Sequence, residues 1–116
     1  MTEDADITTL LEEYGRTALE WDAAAHDASK ANELFDRNHS LFKRLRDSAE
    51  GREGIVRLMS DASPGIRLLA ATHSLGWRPK EACGVLHQLE QSGGLHAVSA
   101  KHTLRSYRSG NLKLDW

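Results

Sequence analysis

The sequence predicts an all-α fold: a short right-handed α-solenoid of about six helices, with an irregular helical bundle as the alternative. Three observations lead there. The stretch Ser63 to Leu75 reads as a complete helix start and then a helix with almost no polar face. Ser63 can cap free backbone N–H groups, Pro64 fits the first helical position, and apolar or small residues then fall on every side. Such a helix is stable only when other helices cover it all round. No β-hairpin signal occurs along the chain. There is also weak internal repetition. Ala71, His73 and Leu75 recur as Ala100, His102 and Leu104, 29 residues later, and Ala31 and Phe35 stand 40 residues before Ala71 and Leu75. Periods of this size belong to stacked helical pairs.

Each element has its own pattern. Ile7, Leu10, Leu11, Tyr14, Ala18, Trp21 and Ala25 form one helical stripe, with Glu12, Glu13, Arg16 and Glu20 on the other side. This predicts a first helix over about residues 6–26, capped by Asp4 or Asp6, after a disordered start at residues 1–5. Its end carries no Gly or Pro, only Asp27 and Ser29 as residues able to cap the second helix. A second stripe holds Ala31, Leu34, Phe35, Asn38, Leu41, Phe42 and Leu45, with Arg37, Lys43, Arg44 and Arg46 on its polar side. The glycines of Glu50–Gly54 are expected to break the chain before a short third helix carrying Ile55, Val56, Leu58 and Met59. The fourth helix, starting at Pro64, is expected to close at a left-handed Gly76. The fifth starts at Pro79, buries Ala82, Cys83, Val85, Leu86 and Leu89, and ends at Gln91–Gly94. The last carries Leu95, Val98, Leu104 and Tyr107 and closes at Gly110–Asn111. Residues 111–116 then alternate apolar and charged, which predicts an extended C-terminal arm.

Composition bounds the function. A chain of 116 residues, 40% hydrophobic and 28% charged, suits a single domain over residues 1–116 with one core. No apolar run approaches the roughly 20 residues that cross a bilayer. The acidic start, Met1-Thr2-Glu3-Asp4-Ala5-Asp6, lacks the basic and apolar regions of a signal peptide. One cysteine, Cys83, makes no intrachain disulfide, and its apolar helical setting predicts a buried, inert thiol. A cytoplasmic location is the resulting expectation, with no membrane partner. Charge is uneven. Residues 1–30 carry eight acids against two bases, a net −6, while residues 61–116 carry four acids against seven bases, a net +3. That polarity can steer a partner or pair two copies head to tail, and it suits an acidic first and a basic last helix as the caps of a stack. A sequence pI near 6.3 makes nucleic acid an unlikely partner.

Several segments together carry a resemblance. They are Ala31-Asn32-Glu33-Leu34-Phe35-Asp36-Arg37, Gly51-Arg52-Glu53-Gly54, Asp61 to Leu75, and Leu104 to Leu112. Over about residues 6–114 the chain resembles a bacterial family of small all-helical HEAT-like proteins, a domain of unknown function. The resemblance implies a HEAT-like solenoid and no assigned activity, and no catalytic residue carries over from it.

The residues themselves offer few sites. Lys101, Arg105 and Arg108 stand at i, i+4 and i+7, a basic stripe about 10 Å long on the last helix. With Trp116, a residue type that anchors interfaces, they are the interaction candidates. The arm that carries Trp116 either folds back over the last hairpin or docks onto a second chain, so the chain is expected as a monomer or a homodimer. Asn32, Asp36, Arg67 and His73 are expected to form a polar cluster joining adjacent hairpins, because polar groups on core-facing helices find partners inside the fold. Asp22 and His26, four apart, form a weak candidate cation pair, but no ligand motif supports it, so no metal site and no cofactor are expected. The best-supported expectation is a non-enzymatic protein-binding helical-repeat module of adaptor or immunity type. The alternative is a small hydrolase or nucleic-acid-acting enzyme on the same scaffold, using Asp36 and His73 with Arg67.

Overall fold

Three of the helices begin where the sequence supplies a capping side chain. In the computed structural model, which describes the backbone of residues 3–114 and side chains from residue 7 onward, the helices are α1 (Glu3–Ala23), α2 (Ala28–Leu45), α3 (Ala49–Leu58), α4 (Pro64–Ser74), α5 (Pro79–Ser92) and α6 (Ala97–Arg108). Asp27, Ser48 and Ser63 accept from the backbone N–H of Lys30, Gly51 and Ile66, so α2, α3 and α4 each start on a side-chain cap. Among the described residues there is no strand, and the fold is all-α.

The helix ends differ from expectation in ways that packing explains. α1 begins at Glu3, not near residue 6, and stops at Ala23, because Asp27 caps the next helix and leaves Ala24–His26 to make the turn. Gly51 and Gly54 do not break the chain. They lie inside α3, and the break falls earlier, at Arg46–Ser48. Both glycines are close-approach positions: a Cβ on Gly51 would strike the Leu45 carbonyl oxygen, and one on Gly54 would strike the Leu11 side chain. Gly76 is not left-handed either. α4 closes through a turn in which the Arg78 N–H bonds the Ser74 carbonyl at 2.7 Å. Gly110, at φ 79°, does end α6 as expected and turns the chain into the arm.

α4 is the central rod. It packs on α1, α3 and α5, and Ile66, Leu68, Leu69, Ala70, Ala71, His73 and Ser74 are buried. α1 and α2 form one hairpin and α5 and α6 another, with α4 touching both. Tyr14, Phe42, Leu45, Ile55, Leu86 and Leu104 are fully buried in the shared core, each aliphatic or Phe side chain stabilising the fold by about 1.5–3 kcal/mol. A radius of gyration of 13.5 Å matches the roughly 13 Å expected of a compact chain this long. Among the described residues no helix is long and apolar enough to cross a membrane.

Candidate functional site

The middle of the molecule holds a buried polar node. The Tyr14 hydroxyl and Nδ1 of His73 are 2.6 Å apart, and both residues are buried. Burial alone pushes the Tyr14 hydroxyl well above its usual pKa, so it keeps its proton. His73 is pushed down to about 3, first by burial and then by the charges of His39 and Arg46. Tyr14 therefore donates, His73 accepts through Nδ1, and the ring proton sits on Nε2. Beside them, Asn38 Nδ2 donates to the Tyr14 carbonyl and to Thr17 Oγ1, each at 3.0 Å. The carbonyl is a pure acceptor, which fixes the orientation of the Asn38 amide and leaves Oδ1 buried with no partner among the described residues. An imidazole that stays neutral down to pH about 3 is a poor general base, and this node orders the packing of α1, α2 and α4.

A second constellation lies at the surface. His96, just before α6, donates Nε2–H to Asp22 Oδ1 of α1 at 2.8 Å, and its ring stacks on Trp21 with centroids 5.8 Å apart. Asp22 also fits against α4, where a Cβ on Gly65 would come within 2.7 Å of it, so the carboxylate lies beside the positive end of that helix. The pair pins the start of α6 to the end of α1. A cavity of about 220 Å³ opens there, lined by Trp21, Asp22, Ala25, Ala31, Leu95, His96 and Ser99. The hydrogen bond of the His96 ring in this cavity is to Asp22. Leu95 and Val98 stand 68% and 62% exposed. Val98 leads at helical spacing into Lys101, Arg105 and Arg108, all exposed on α6.

The sequence-derived candidates fall apart into separate places. Lys101, Arg105 and Arg108 share the outer side of α6 as expected, while Trp116 lies outside the described residues. Asn32 and Asp36 are exposed on α2; the buried polar residues of that helix are Asn38 and His39. Arg67 turns back to the loop before α4 and donates to the carbonyls of Asp61 and Ala62 at 2.8 and 3.1 Å. Of the expected cluster only His73 is buried, so the four are not brought together, and neither is the Asp36, His73 and Arg67 grouping a hydrolase would use. Asp22 pairs with His96 instead of His26, which is exposed. No group of three or more potential metal ligands occurs among the described residues. Cys83 is half-buried against the core. His102, the counterpart of His73 in the internal repeat, faces solvent. Sequence reasoning missed His96 because its partner is 74 residues away, a separation no local pattern encodes.

Comparison places the fold among known structures. The crystal structure of the protein RPA1889 from Rhodopseudomonas palustris CGA009 is similar to this chain, with a TM-score of 0.84 and 22% identity over 92% of each chain. At that identity the likeness speaks to the fold alone. No family model matches the sequence, and no curated protein matches it.

Proposed function

We propose that this chain is a non-enzymatic protein-binding module, an adaptor or immunity-type protein of the bacterial cytoplasm, built as a short right-handed HEAT-like stack. Support for the stack comes from α3, α4, α5 and α6, each of which packs on the next. The α1–α2 hairpin covers one side and α6 forms an end with a basic outer face. The observation that carries the binding reading is the pair of exposed apolar side chains, Leu95 and Val98, running directly into the basic stripe. Neighbouring exposed apolar side chains beside a cavity and a row of like charges offer a partner both apolar area and charge complementarity. The chemistry that fits is an acidic amphipathic helix: its apolar residues cover Leu95 and Val98 and fill the cavity beside Trp21, and its carboxylates face Lys101, Arg105 and Arg108.

The test is fluorescence anisotropy of a labelled synthetic peptide with leucines at helical spacing and glutamates elsewhere. The expected result is saturable binding that weakens with added salt, weakens further in a Lys101→Glu, Arg105→Glu variant, and disappears in a Leu95→Ser, Val98→Ser variant. Absence of saturable binding up to millimolar chain, or binding indifferent to both sets of substitutions, overturns the reading.

A further inference from the structure

The C-terminal ends of α2, α4 and α6 converge on a cleft that the docking surface does not use. Its volume is about 630 Å³, inside the range of roughly 300–1,000 Å³ typical of small-ligand sites. Phe42 comes from α2 and Arg46 directly follows it, His73 comes from the end of α4 and Trp77 from the turn after it, and Tyr107 from α6; Leu112, Lys113 and Leu114 of the arm form the remaining wall. The aromatic rings are ordered. Phe42 stacks on His73 with centroids 4.0 Å apart at 6°, and on Trp77 at 6.0 Å and 20°. The Arg46 guanidinium sits 5.2 Å from the Phe42 centroid and donates to the Leu114 carbonyl at 3.2 Å.

The polar side chains of this cleft are unbalanced. Arg46, Lys113 and Trp77 can only donate, and His73, whose Nδ1 is taken by Tyr14, presents an N–H at Nε2. Among the described residues that line the site, Tyr107 is the one side chain that can also accept, and there is no Asp or Glu. Trp77 Nε1 is buried with no partner among the described residues, a donor whose isolation is unfavourable until something accepts from it. Three helix C-termini bring partial negative charge of their own. Their effect fades within a turn, and carbonyls near the ends of α4 and α6 are already bonded, Ser74 by the Arg78 N–H and Ser106 by the Asn111 N–H. Two full cations then outweigh them. We propose that the cleft binds a small organic carboxylate with a planar aromatic body, its carboxylate on Arg46 and its ring against Trp77 and Tyr107. This site is separate from the docking surface, which contributes none of the residues that line the cleft.

The probe is phenylacetate, with phenylacetamide as its uncharged counterpart, followed by calorimetry and by the indole N–H signal of Trp77 in nitrogen-15 spectra. The expected result is saturable binding of the acid, movement of that signal, and at least about tenfold weaker binding of the amide, since a charged hydrogen bond contributes about 1.5–3 kcal/mol. Arg46→Gln is expected to weaken the acid by a similar factor while Arg46→Lys retains part of it. A melting curve of each variant confirms that the chain still folds. No saturable binding of phenylacetate at millimolar concentration, equal binding of acid and amide, or full binding by folded Arg46→Gln each overturns the proposal.

Discussion

Tyr14 on α1 and His73 on α4 are 59 residues apart in sequence, yet the hydroxyl of one and Nδ1 of the other meet at 2.6 Å in a fully buried contact. This bond ties the first hairpin to the central rod. Tyr14→Phe removes the donor and strands a buried imidazole nitrogen, so it is expected to lower the unfolding free energy by about 1–3 kcal/mol. Urea denaturation checks the value. Tyr14→Phe made in a His73→Leu background is expected to cost markedly less, because the stranded nitrogen is gone.

The same pair sets an acid sensitivity. His73 in the folded chain takes up its proton only near pH 3, whereas in the unfolded chain it does so near 6.5. The unfolded state therefore binds more protons between those values. Stability is full above pH 6.5 and falls as pH drops toward 3, by about 1.4 kcal/mol per pH unit from this group. Denaturation series between pH 7 and pH 5 are expected to show a loss in the wild type of on the order of 2 kcal/mol from this group, and a smaller loss in His73→Leu. A wild-type stability that is flat across that interval contradicts the assignment.

Glycines inside helices divide sharply. Gly15 and Gly84 have nothing within 4 Å of an added Cβ, so Gly15→Ala and Gly84→Ala are expected to stabilise by up to about 1 kcal/mol through helix propensity. Gly54→Ala instead pushes into Leu11 and is expected to destabilise by about 1–3 kcal/mol, and Gly51→Ala by more, because its obstacle is backbone. Thermal melts of the four variants separate the two classes.

Exposed and buried apolar residues of α6 and the turn before it are expected to behave oppositely. Leu95→Ser with Val98→Ser leaves the unfolding free energy within about 0.5 kcal/mol, since neither side chain is covered by the chain itself. Leu104→Ala, a few residues on and 1% exposed, costs about 2–5 kcal/mol. The contrast, read by urea titration, separates side chains that support the fold from those that do not.

Much of the architecture was legible in the chain. Ser63 and Pro64 announce α4 and its all-round apolar face announces its central place. The stripe of α2 already contained Asn38, the polar residue that is buried there. What could not be read was long-range. Nothing local marks His96 as the partner of Asp22, or shows that Gly51 and Gly54 serve close packing when the same residues so often serve as breaks. Asn32 and Asp36 looked like cluster members because one helical register was read across the polar residues of α2, but a shift of two positions moves a side chain from Asp36, facing water, to Asn38, facing the core. The aromatic cleft was hidden for the same reason, since its walls come from three helix ends and the arm.

The most direct test of the binding reading is a nitrogen-15 spectrum of the chain titrated with the acidic amphipathic peptide. The account predicts shifts concentrated from Leu95 to Arg108 and at Trp21, with the signals of α3 unmoved. Shifts centred on α2 or α3, or none at saturating peptide, would contradict it.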